Sequence, residues 1–124
     1  MSEVTKQAFA NPSSPHWAGR DARFLLEKSR ESLAKTLGAK PQEILFTSGG
    51  SESNNTVLRQ FLGNSGQQHL ITSAVEHPSV LETCRILAEQ ANIELTELAV
   101  DSSGSVDPQA LRASIRPDTS LISF

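Results

Sequence analysis

Small and apolar residues recur at three- and four-residue steps from Arg20: Ala22, Leu25 or Leu26, Ser29, Leu33 and Leu37. This spacing predicts a helix, and Gly38 supplies a residue suited to ending it. "EILFT" follows as a short apolar run that fits a buried strand over Ile44–Thr47. A second helical pattern runs from Ser51 to Leu62, with Val57, Leu58, Phe61 and Leu62 apolar. "GNSGQQ" reads as a loop and "HLITS" as a second strand. Pro78 then suits the first turn of a helix, where its missing N–H is no loss. Leu81, Cys84, Ala88 and Ala91 line one face of that helix.

"IELTELAV" predicts a third strand, with Ile93 and Leu95 alternating with polar neighbours. Asp107 before Pro108 is an N-cap followed by a proline at the first helical position, opening a short helix to about Ile115. "SLISF" reads as a fourth strand. The first nineteen residues carry Pro12, Pro15 and Gly19 and read as a loop. The alternation argues for an α/β layer of parallel strands with right-handed crossovers. The expected organisation is an N-terminal loop segment over 1–19 and a partial α/β domain over 20–124.

Composition leaves this picture intact. At 124 residues, one modest domain can bury roughly two-thirds of its unfolded surface. The 37% apolar and 20% charged content is that of a globular protein. The net charge is −3 and the 11 basic residues are scattered, so neither a nucleic-acid surface nor a membrane-binding helix is expected. No apolar stretch approaches the length of a membrane span, and the opening "MSEVTKQAFANPSS" lacks the apolar core of a secretory leader. The lone cysteine, Cys84, has no partner for an intrachain disulfide, and a reducing cytoplasm is the simplest setting. No metal site is expected.

Two stretches carry candidate chemistry. "TSGGSESNN" places a Gly-Gly turn between a strand and a helix opened by Ser51. Unpaired N–H groups at a helix start, with the helix dipole behind them, favour an anion, and glycine admits close approach. A phosphate is the natural guest, although serine caps many helices that bind nothing. The turn is neither a Walker loop, since no lysine follows, nor the three-glycine dinucleotide fingerprint.

In "EHPSV", His77 lies between the second strand and its helix, at the carboxyl edge where open α/β sheets bind ligands. It could stack on a flat ligand or exchange protons. It could equally cap its own turn. His16 and His69 read as structural.

Together, "NPSSPHWAGRDA", "ILFTSGGSESNN", "HLITSAVEHPSVLETC" and "VDPQALRASIRPDTSLIS" resemble the amino-terminal part of the cysteine desulfurases. These are pyridoxal-phosphate enzymes of fold type I within the class V aminotransferase family. The resemblance runs from about Asn11 to Phe124.

It implies part of a large-domain three-layer sandwich, with Gly50 and Ser51 holding the phosphate of pyridoxal 5'-phosphate. Threonine often stands in the family where this chain has Ser51. It implies His77 as the ring that stacks on the pyridine and shuttles protons. The implied reaction takes sulfur from L-cysteine, leaving alanine and an enzyme persulfide for sulfur transfer or iron–sulfur cluster assembly. A homodimer and a sulfur-acceptor protein are the implied partners.

The family's Schiff-base lysine, ring-pairing aspartate and persulfide cysteine are expected beyond Phe124. Lys6, Lys28, Lys35 and Lys40 all precede the glycine turn and match none of these. Cys84, on an apolar helix face, reads as a small buried hydrophobe. A truncated and inactive desulfurase is therefore expected, with exposed sheet edges that invite aggregation and low stability.

In this frame Ile44–Thr47 is an edge strand without its neighbours. His69–Ser73 and Glu94–Ala99 pair directly, and Ser120–Phe124 is separated from them by a further strand. The alternatives are a piece of a selenocysteine lyase or another class V aminotransferase, and a non-catalytic interaction fragment or gene relic.

Overall fold

The structure is a computed structural model that describes residues 3–60, 68–90 and 93–124. The helical positions expected for Phe61, Leu62 and Ala91, and the loop expected over 63–67, lie outside the described residues. The chain divides into two compact units, Met1–Phe46 and Thr47–Phe124.

In the first unit, α1 (Glu3–Gln7) precedes the long helix α2 (Trp17–Leu37). The stretch read as a loop thus contains a short helix, and α2 starts three residues ahead of Arg20. His16 explains the early start: its Nδ1 accepts the Gly19 N–H at 3.3 Å, a side-chain cap. Gly19 sits inside the helix because the preceding loop crosses it closely. A Cβ there would stand 2.4 Å from the Ser14 carbonyl oxygen. Arg20 and Arg23 tie the same loop to α2 by donating to the carbonyls of Pro15 and Pro12 at 3.1 and 2.8 Å. Gly38 ends the helix as expected, with φ +66° in the left-handed region.

The strand expected over Ile44–Thr47 does not form. After a 3-10 turn at Pro41–Glu43, the chain is extended at Ile44 but has no strand partner among the described residues. Arg30 of α2 holds it instead, donating to the Ile44 carbonyl and lying 5.0 Å from the centre of the Phe46 ring. An apolar run becomes a strand only when another strand takes up its backbone groups. Leu45 is left 69% exposed.

The second unit contains α3 (Gly50–Arg59), β1 (Gln68–Ser73), α4 (Pro78–Gln90), β2 (Ile93–Leu98), α5 (Pro108–Ser114) and β3 (Thr119–Ser123). The α/β class with parallel strands is as expected. The sheet has the order β2-β1-β3 with both pairings parallel. β1 and β2 pair from Gln68↔Ile93 to Ser73↔Leu98. β3 lies directly against the other side of β1, with Leu70↔Leu121 and Ile71↔Ile122. No strand intervenes between them, which corrects the expected separation. The first crossover, through α4, leads from the central β1 to β2, and the second, through α5, leads from β2 past β1 to β3 on its other side.

Burial follows from that position. β1 is buried from His69 to Ser73, while Glu94 and Glu97 on β2 are exposed. The core joins Leu58 of α3, Leu70 of β1, Val80, Cys84 and Leu87 of α4, and Ile93 of β2, with Leu95 and Leu121 packed against it. Asp107 caps α5 by accepting the Gln109 N–H at 2.9 Å, and Pro108 opens the helix as expected.

Candidate functional site

The first turn of α3 is open. Its N-cap, Gly49, has extended backbone and no side chain to satisfy the helix N–H groups. The Ser53 N–H reaches the Gly49 carbonyl at 3.1 Å. The N–H groups of Gly50, Ser51 and Glu52 have no acceptor among the described residues, and neither does the exposed Ser51 hydroxyl. Apart from the adjoining chain and the helix backbone itself, no described atom lies within 4 Å of where a Cβ would stand on Gly49 or Gly50.

The turn is braced from behind. The Thr47 and Ser53 hydroxyls share a bond of 2.6 Å, and Glu52 Oε2 accepts the Ser48 N–H at 2.6 Å. Hydrogen bonding from Ser48 holds the Glu52 carboxyl below the usual carboxylate range, so it is charged at neutral pH. The Glu52 side chain bonds the Ser48 amide outside the helix and leaves the three helix amides free.

His77 caps α4. Its carbonyl accepts the N–H groups of Val80 and Leu81 at 2.8 and 3.1 Å, and its Nδ1 accepts the Ser79 N–H at 3.1 Å. Nδ1 is also 2.8 Å from Ser79 Oγ, which accepts from Asn54 Nδ2 at 2.8 Å. Asn54 is one helical turn beyond Gly50. A hydrogen-bonded path therefore joins the His77 ring to the helix that carries Gly50 and Ser51. A second bridge, from Thr83 Oγ1 to Asn55 Oδ1 at 3.2 Å, fastens α4 to α3. The capping role of His77 and its place beside α3 are both present.

In the sequence, Ser79 and Asn54 each read as an ordinary polar residue near a helix start. The available signal was a hydroxyl two residues after a capping histidine, opposite an amide pair in "SNN".

The remaining candidates are structural. His69 is fully buried in β1, with Nδ1 2.8 Å from Thr119 Oγ1 and Nε2 2.8 Å from Thr96 Oγ1. Burial, with the Arg116 charge nearby, pushes its pKa below the ordinary histidine value. Cys84 is 1% exposed, and burial pushes its thiol pKa up, away from reactive thiolate. The four lysines all lie in the first unit or immediately beside its helices. A concavity of about 620 Å³ is lined by Pro108, Gln109, Arg112 and Ala113, none of them a candidate residue.

Comparison with known proteins then gives consistent matches. The profile of the family described as aminotransferase class-V matches residues 1–124. A protein named cysteine desulfurase IscS from Dictyoglomus turgidum is 48% identical over 126 residues, covering 100% of this chain and 32% of its own length. Human selenocysteine lyase is 37% identical, again covering 100% of this chain and 32% of its own length. A solved structure described as SspA in complex with cysteine superposes with a TM-score of 0.81 at 40% identity, covering 97% of this chain and 35% of that one. Another, described as a NifS-like protein, gives a TM-score of 0.79 at 34% identity, covering 96% and 33%. The chain spans about a third of the length of these relatives, and it belongs to the class V aminotransferase family.

Proposed function

We propose that this chain is the phosphate-holding part of a pyridoxal-phosphate-dependent cysteine desulfurase. The observation that carries the reading is the open first turn of α3, tied through Ser79 to His77. Its weight comes from a chain 48% identical to a protein named as a cysteine desulfurase.

The residues present fit a phosphate. The free N–H groups of Gly50 and Ser51 and the Ser51 hydroxyl are its donors, and the space beside Gly49 and Gly50 admits it. His77 would be the residue that stacks on the cofactor ring. When bound, the cofactor supplies an electron sink for chemistry at the amino acid. The reaction of the whole enzyme is sulfur removal from L-cysteine, giving alanine and an enzyme persulfide for sulfur transfer or iron–sulfur cluster assembly. The working form is a cytoplasmic homodimer served by a sulfur-acceptor protein. Among the described residues no helix is long and apolar enough to cross a membrane.

The chain alone binds without turning over. Lys6, Lys28, Lys35 and Lys40 all precede the turn and match none of the positions that the family's Schiff-base lysine takes, and the thiol of Cys84 is buried. Titrating pyridoxal 5'-phosphate into the labelled chain is expected to move the amide resonances of Gly50 and Ser51, with no sulfide released from cysteine. Unmoved amides, or sulfide release by the purified chain, would overturn the reading. A second reading, a selenocysteine lyase, draws on the 37% identity to the human protein across the whole chain. Comparing cysteine with selenocysteine as substrates of the full-length enzyme separates the two.

A further inference from the structure

We propose that Ser79, backed by Asn54, is a positioning residue that locks the His77 ring into its Nε2–H tautomer. This deepens the functional reading above and rests on it for its purpose, though its geometry stands independently.

The assignment follows from which atoms can only donate. The Ser79 backbone N–H, 3.1 Å from His77 Nδ1, has no acceptor character. Nδ1 must therefore offer its lone pair, and in a neutral ring the proton resides on Nε2. Ser79 Oγ, 2.8 Å from the same Nδ1, meets that lone pair and must give it the hydroxyl proton. The hydroxyl is then left only to accept, and Asn54 Nδ2 donates to it at 2.8 Å. The opposite amide orientation would set Asn54 Oδ1 against an oxygen whose one proton is already committed. Every member has a single role, and the donor order runs from Asn54 to Ser79 to His77.

An exposed histidine ring usually turns freely and exchanges tautomers. Here Nδ1 is engaged twice by one residue, and Nε2 has no partner among the described residues. Because Asn54 belongs to α3, the ring is tethered to the helix whose first turn holds the free amides. The result is an aromatic ring held at a set angle, with the Nε2 N–H left to donate. A flat ligand seated on α3 would meet that ring in one orientation. The backbone bond alone would make His77 an ordinary helix cap; the hydroxyl and the amide behind it add the orientation.

Long-range proton–nitrogen correlation of the ring in the nitrogen-15-labelled chain reads the tautomer directly. In the neutral ring, Nδ1 is expected in the unprotonated range and Nε2 in the protonated range. In Ser79→Ala the two nitrogen shifts should move toward each other as the second tautomer becomes populated. Ser79→Thr should restore them, and Asn54→Ala should move them the same way by less.

If Ser79→Ala leaves both nitrogens unmoved, His77 is only a helix cap and the proposal fails. Averaged shifts in the unsubstituted chain, whatever their origin, overturn it as well. Adding pyridoxal 5'-phosphate to the same samples separates the two readings. Amides of Gly50 and Ser51 that stay still while His77 keeps its tautomer would sink the functional reading and leave the positioning assignment standing.

Discussion

Ser51 and His69 show how differently two residues with polar side chains behave at the ends and in the middle of these elements. The Ser51 hydroxyl has no acceptor among the described residues, so its removal costs the fold little and a bound anion more. Ser51→Ala is expected to weaken pyridoxal 5'-phosphate binding about ten- to a hundredfold while leaving the thermal midpoint unchanged, because hydrogen bonds to charged groups contribute about 1.5–3 kcal/mol. Calorimetric titration with a parallel melt checks this.

His69 is the reverse case. Its pKa is depressed by burial, so the folded state prefers the neutral ring. The associated stability is fully present above the unfolded value of about 6.5 and is lost as pH falls through it toward the folded value. Urea unfolding between pH 8 and pH 5 should show stability falling on the acid side of about pH 6.5. The fall should be smaller in His69→Asn.

Helix ends were legible where their signals are local, whereas α1 and the early start of α2 were not. Gly38 stops α2 in the left-handed conformation, and Asp107–Pro108 opens α5, as their chemistry dictates. Gly38→Ala should cost about 1 kcal/mol, since a side chain at positive φ is strained. Leu87, fully buried on α4, should cost about 2–5 kcal/mol on truncation to alanine. Denaturant unfolding of both variants tests the ranking.

Strands were less legible. "EILF" and "LISF" are alike as apolar runs, yet among the described residues the second alone has a strand to pair with. Whether a run becomes a strand depends on residues far away in sequence, and the direct contact of β3 with β1 carries no local signature. The candidate site divides the same way. Gly50, Ser51 and His77 stood out by their turn chemistry, whereas Ser79 and Asn54 gain meaning only when α3 and α4 meet.

Across the whole chain, the sheet has two outer strands whose far edges are unpaired among the described residues. They are protected unequally. β2 carries Glu94 and Glu97, paired with Arg116 and Arg85 at 2.7 Å, and such charges discourage another strand from docking. β3 has Ile122 39% exposed, followed by Phe124 at 55%, and no charge within Thr119–Ser123. Association of the purified chain should therefore proceed through β3. Ile122→Lys is expected to reduce light scattering at high concentration, whereas removing charge with Glu97→Gln should raise it.

Between those unequal edges, His69 reaches both neighbours at once, touching Thr96 on one side and Thr119 on the other. A slip of either outer strand by one residue would turn its threonine to the opposite face and strand a buried imidazole nitrogen. The imidazole thus acts as a gauge of alignment, rejecting misregistered pairings on both flanks during assembly of the sheet.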